Sequence, residues 1–123
     1  MSPGIRRPVY CKVRYIGYTA DEVAVMIYKV TRFFPKEEIY GLTSQMRRAG
    51  VSVPSNIVEG CARQSQTEYR RFLDVSYGSL KELHYQFSLA VRLGYVNKND
   101  ESNYELKFVE TEKVLAALIR AMR

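Results

Sequence analysis

Apolar residues recur at intervals of three and four through most of the chain, and no other feature restricts its fold as strongly. From Thr19 onward Val23, Ile27, Val30 and Phe34 follow at four, three and four. Leu42, Met46, Ala49, Val53 and Ile57 repeat the pattern, as do Tyr69, Phe72, Leu73, Ser76, Leu80, Leu83, Phe87 and Ala90. Tyr104, Phe108, Thr111, Leu115, Leu118 and Met122 complete it as a heptad seam. This period lines one face of an α-helix, whereas a strand needs a period of two. Four such stripes in 123 residues predict an all-α domain, an antiparallel up-and-down four-helix bundle over residues 19–123.

Local signals set the expected boundaries. Thr19-x-x-Glu22 and Ser65-x-x-Glu68 have the form of capping boxes opening the first and third helices. Pro35 stops the first, because it disfavours the helical conformation at Phe34 and has no N–H to donate. The second helix is expected from about Thr43 to Ala62 and the third from Gln66 to Leu93, where Gly94 ends it. The fourth should run from about Asp100 to Ala121. Pro54 falls inside the second helix; a kink is expected there, with a break into two helices as the alternative. Residues 1–18 differ: Val9, Cys11, Val13 and Tyr15 alternate with Tyr10, Lys12, Arg14 and Ile16, a period of two. A lone strand has nothing to pair with, so this segment reads as a basic N-terminal arm, flexible or strand-like, with the flexible form favoured.

Charge narrows the classes of partner. Nineteen Lys and Arg against 13 Asp and Glu give +6, and a basic balance suits an anionic partner, of which nucleic acid is the commonest. The segment from Ser44 to Arg71 carries Arg47, Arg48, Arg63, Arg70 and Arg71 against only Glu59 and Glu68. Two cysteines and one histidine, Cys11, Cys61 and His84, have no zinc-ligand spacing. A Cys61–His84 nucleophile pair lacks a third group to orient the imidazole. No metal, cofactor, small-molecule substrate or catalytic role is therefore expected. No apolar run is long enough for a membrane span, and no export signal follows the basic start, so the expectation is a cytoplasmic protein with no membrane partner.

The densest unusual stretch is GLTSQMRRAGVSVPSNIVEG, residues 41–60, followed by Arg63 and then EYRRFLDVSYGSLKEL. Arg48, Ser52, Ser55, Asn56, Glu59 and Arg63 share one stripe, and Ser76, Ser79, Glu82 and Gln86 form another on the third helix. Facing polar stripes are costly unless they bond each other. One reading is a buried network of Arg48, Ser52, Asn56, Glu59, Ser79 and Glu82 that sets helix register. The other leaves arginines free for phosphates, with Arg47, Arg63, Arg70 and Arg71 as candidates and Arg47 foremost, since Arg48 would point inward. Apolar residues off the inward stripes, among them Val25, Ile39, Val51, Val58 and Val75, point to contacts between copies.

These motifs, with RLGY at residues 92–95, closely resemble the bacterial four-helix-bundle family named after the 23S ribosomal RNA intervening-sequence protein. The resemblance covers about residues 27–123. It places the family motif on Arg47, Arg48, Ser52, Pro54, Asn56, Glu59, Gly60, Arg63, Ser79, Glu82 and Gly94. It implies an up-and-down bundle assembling as a homopentameric ring, without catalytic activity. The chain is also similar to the basic pentameric accessory proteins of diversity-generating retroelements, which implies RNA or DNA and a nucleic-acid enzyme as partners. The chain departs from the family where YIGYTADEV replaces an Asp-Leu and Trp-containing start. Gly50 and Val58 stand where alanine is usual. A non-enzymatic, ring-forming nucleic-acid binder is thus the first expectation, and a scaffolding oligomer with no nucleic-acid role the alternative.

Overall fold

The computed structural model describes the backbone of residues 3–123 and the side chains from Tyr15 onward. Four helices form: α1 Pro3–Thr31, α2 Leu42–Cys61, α3 Gln66–Arg92 and α4 Lys98–Ala121. A short 3-10 turn at Lys36–Glu38 links α1 to α2. No strand occurs among the described residues. Each helix packs on two others, α1 on α2, α2 on α3, α3 on α4 and α4 back on α1. The predicted stripes supply the core. Val23, Ile27, Met46, Val53, Leu73, Leu80, Leu83, Phe87, Phe108 and Leu115 are almost wholly excluded from solvent, and burial of each contributes roughly 1.5–3 kcal/mol.

The start of α1 differs from expectation. Ile16, Ala20, Val23, Ile27 and Val30 are all buried, so the helical stripe extends back past Thr19 at steps of four and three. Thr19 is not a cap: it is buried, and its hydroxyl donates to the Ile16 carbonyl at 3.0 Å within the helix. Glu22 leaves the supposed box and accepts from Lys107 Nζ at 2.8 Å, joining α1 to α4. The period-two pattern of residues 9–16 is carried on helical backbone and not on a strand. The flexible-arm expectation falls on residues 1–18, and the side chains of residues 1–14 lie outside the described residues.

Other ends follow the sequence closely. The Ser65 hydroxyl accepts the Glu68 N–H at 3.0 Å and caps α3. At its far end Gly94 takes φ 80°. The Gly94 N–H donates to Val91 O at 3.0 Å and the Tyr95 N–H to Ala90 O at 2.9 Å, a Schellman termination. Asn97 caps α4, which begins at Lys98, two residues before the expected start, and its side chain accepts the Asn99 N–H at 2.9 Å. Pro54 lies within α2, which continues through it as one helix, so the break into two helices does not occur.

The turn between α1 and α2 is pinned to the α3–α4 connection. Phe34 packs on Tyr95 with ring centroids 5.3 Å apart. One Glu38 carboxylate oxygen accepts the Leu42 N–H at 3.0 Å and the other accepts the Tyr95 hydroxyl at 2.9 Å. A Cβ on Gly41 would lie 2.7 Å from Glu38 Oε1, so a side chain there would push the carboxylate off these two bonds. The Leu42 amide, and secondarily Tyr95, holds the Glu38 carboxyl below its ordinary value, while the bond to Glu38 pushes the Tyr95 phenol up. A lowered carboxyl contributes stability above its unfolded value and loses it as pH falls through the folded one. A raised phenol contributes below its unfolded value and loses it as pH rises through the folded one. Tyr95→Phe is therefore expected to be less stable than wild type at neutral pH. The difference should narrow in acid below about pH 4.5 and in alkali above about pH 10, the two ordinary values. Urea unfolding at a series of pH values checks this, and a constant difference would remove the pin.

Candidate functional site

The α2–α3 seam contains the predicted polar stripes, but uncharged groups close it. Ser52 Oγ and Ser79 Oγ are 2.8 Å apart, and Asn56 Nδ2 donates to Ser52 Oγ at 2.9 Å and to Ser52 O at 2.8 Å. Ser76, fully buried, donates its hydroxyl to Val53 O at 2.7 Å. Arg48, Glu59 and Glu82 are exposed and stand outside this network. Arg48 reaches Gln45 Oε1 and Glu59 reaches Arg63, each within α2 or just past its end. The buried ionic network is thus corrected to a neutral one. Long charged side chains at the edge of a seam can extend to water, which avoids a desolvation cost of several kcal/mol per ion. Short serine and asparagine side chains remain in the seam and pair.

The arginine pair at the start of α2 is also inverted relative to expectation. Arg48 is exposed, while Arg47 is half-buried against α1. The Arg47 Nε–H donates to Thr31 Oγ1 at 2.9 Å and its guanidinium lies 4.8 Å from the Tyr28 ring centroid. Thr31 in turn donates to Ile27 O at 2.6 Å. Arg63 is exposed, sits 4.7 Å over the Phe72 ring and approaches Glu59 at 3.6 Å. That surface ion pair contributes little and leaves the guanidinium available. Arg70 is half-buried and Arg71 exposed at the start of α3. Arg47 and Arg63 are near opposite ends of α2, separated by roughly 24 Å at ~1.5 Å per residue. The four candidate arginines therefore do not form one patch: Arg63, Arg70 and Arg71 sit at one end, and Arg47 sits apart from them.

Two arginines that sequence reasoning missed join the larger group. Gln66 Nε2 donates to Met122 O at 3.4 Å, which brings the end of α4 to the start of α3. Exposed Arg120 and Arg123 flank Met122, so this end of the molecule gathers Arg63, Arg70, Arg71, Arg120 and Arg123. Only the return of α4 across the fold could have placed them there.

The possible nucleophile pair is not assembled. Cys61 faces the Tyr69 hydroxyl at 3.7 Å, and burial pushes the Tyr69 phenol well up. His84 faces α4 instead, with Nδ1 2.6 Å from Glu112 Oε2 and Nε2 2.5 Å from Glu105 Oε1. Its ring stacks on Phe108 at 4.6 Å. Lys81 completes the cluster, 3.6 Å from Glu112 Oε1. Among the described residues no group of His, Cys, Asp and Glu side chains is arranged to hold a metal ion. None of the described helices is long and apolar enough to cross a membrane.

This arrangement has counterparts among known proteins. A crystal structure of a protein of unknown function from the S23 ribosomal protein family of Bacteroides thetaiotaomicron matches it with a TM-score of 0.80 and 22% identity. The match covers 89% of this chain and 98% of that one, and at this identity it establishes the shared fold. No curated protein matches. The sequence profile of the family described as "23S rRNA-intervening sequence protein" matches residues 16–117. That span runs from Ile16, the first buried residue of α1 among those described, through most of α4, and with the resemblance of the residue 41–60 motif it shows that the chain belongs to the 23S rRNA-intervening sequence protein family.

Proposed function

We propose that the protein is a non-enzymatic homo-oligomer that binds RNA or DNA, alone or with a nucleic-acid enzyme, through the arginine-rich end formed by α2, α3 and α4. The observation that carries this reading is the convergence of Arg63, Arg70, Arg71, Arg120 and Arg123 where Gln66 meets Met122. Guanidinium groups pair bidentately with phosphate, and binding of this kind is electrostatic and independent of sequence. The proposed unit is an antiparallel up-and-down bundle with α2 kinked at Pro54, working in the cytoplasm without a cofactor. The Gln66–Met122 contact and the Phe34–Tyr95 contact at the opposite turns support the antiparallel course. Exposed Val51, Val58, Val75 and Leu106 support assembly of copies, and the pentameric ring rests on the family resemblance.

The test is a titration of fluorescent RNA at several salt concentrations. Replacing Arg71 and Arg123 with glutamine is expected to weaken binding to every sequence alike. Each arginine that no longer neutralises a phosphate should reduce the log–log salt slope by roughly 0.7–0.9. Absence of RNA and DNA binding at low salt would overturn the reading. The scaffolding alternative, which the same exposed valines favour, expects unchanged nucleic-acid behaviour. It also expects a smaller particle by light scattering when Val58 and Val75 are made polar.

A further inference from the structure

A second feature lies at the other end of α2, and its interpretation rests on the nucleic-acid reading above. Among the described residues the two most exposed large apolar side chains are Tyr40, at 94%, and Phe33, at 80%. Both belong to the turn between α1 and α2. This turn is not a loose loop that happens to show its rings. Phe34 is buried beneath it and packs on Tyr95, and Glu38 ties it to Leu42 and Tyr95. The backbone is thereby fixed with two aromatic rings turned to solvent, where exposed apolar area is unfavourable unless something covers it.

The surrounding charge identifies the occupant. Lys29, Arg32 and Lys36 are exposed and interleave with the rings along the chain. Glu38 is already engaged by the turn itself, which leaves Glu37 as the turn's opposing exposed charge. A second copy meeting this turn through its own turn would bring Lys29, Arg32 and Lys36 against the same three cations. Alternating cations and open ring faces suit a phosphate backbone whose bases are free to stack. Stacking of this kind tolerates any sequence, because every base has a π face, but it requires bases that are not already stacked in a duplex. We propose that Phe33 and Tyr40 form a platform for the unpaired bases of single-stranded RNA or DNA, with Lys29, Arg32 and Lys36 holding the phosphates. The platform gives the molecule a preference between single and double strands, which the arginine-rich end does not supply.

The chain contains no tryptophan, which permits a direct test. In the full-length Tyr40→Trp variant the single indole should be quenched on adding a single-stranded uridine 20-mer. It should respond little to a blunt RNA duplex of equal length at the same occupancy. In parallel, Phe33→Ala/Tyr40→Ala should weaken single-strand affinity by at least about tenfold, given the usual strength of base–aromatic stacking, with duplex affinity unchanged. Both side chains are exposed, so thermal stability should hold, and light scattering should show an unchanged particle mass. An unaffected single-strand affinity overturns the platform, as does an equal loss for duplex and single strand. A fall in particle mass also overturns it, by showing that the face joins copies of the chain. Wild-type protein that binds neither form overturns the broader nucleic-acid reading instead.

Discussion

Phe108→Ala is expected to lower the unfolding free energy by about 3–5 kcal/mol, the range for removing a large aromatic from a core. Phe108 is wholly buried, stacks on His84 at 4.6 Å and packs on Phe87 at 5.2 Å. Its position along α4 magnifies the loss. None of residues 98–107 is fully buried: Tyr104 packs edge-on against Phe87 at 5.6 Å from a half-buried position, and Phe108 is the first residue of α4 wholly inside the core. It also supports the imidazole that meets Glu105 and Glu112 on either side. Truncation leaves a cavity and removes the backing of that polar cluster, so the first half of α4 should detach before the rest unfolds. Against a total stability of about 5–15 kcal/mol for a domain, this loss is a large share. Urea denaturation measures it, and hydrogen exchange should show α4 amides opening first. A loss below about 1 kcal/mol would refute this account of α4.

Gly60→Ala should destabilise the protein although alanine is the better helix former. A Cβ at position 60 would lie 2.9 Å from the Cβ of Phe72 and 2.9 Å from Cδ1 of Tyr69. The first of these atoms is bonded to the α3 backbone and cannot swing away, so the two helices must separate. Overpacking of this kind costs about 1–3 kcal/mol, against a propensity gain of about 1 kcal/mol. The net cost is expected at about 0–2 kcal/mol for alanine and larger for valine. Gly78 provides the control: it lies mid-helix on the exposed side of α3, with nothing within 4 Å of an added Cβ. Gly78→Ala should therefore be neutral or stabilising. Equal effects at the two positions in thermal unfolding would show that close approach is not what Gly60 provides.

The core is legible in the sequence because a period of three and four residues selects one face of each helix whatever lies opposite. Met46, Val53, Leu83, Phe108 and Leu115 all fall inside on that basis. The capping box at Ser65 is legible because its partner is three residues away. Thr19-x-x-Glu22 has the same form and misleads, since Ile16 and Ala20 continue the stripe and burial outweighs the local cap. Arg47 and Arg48 exchange places for a related reason. Periodicity says that one of two neighbours faces inward, but not which helix offers it a hydroxyl and a ring, as α1 does through Thr31 and Tyr28. Arg120 and Arg123 are invisible as site residues because their neighbours at the start of α3 lie some fifty residues earlier in the chain.

The serine–asparagine seam between α2 and α3 sets how different parts of the particle respond to their surroundings. Its bonds join uncharged groups, which neither gain nor lose protons in the physiological range and carry no net charge for ions to screen. The attachments of α4 are of another kind, with Lys107 on Glu22 and His84 between Glu105 and Glu112. Ionic strength therefore acts on these polar attachments, and acid on the lowered Glu22 carboxyl that Lys107 holds, while the seam itself responds to neither. One chain thus combines a seam indifferent to its medium with a fourth helix whose ion pairs answer to it.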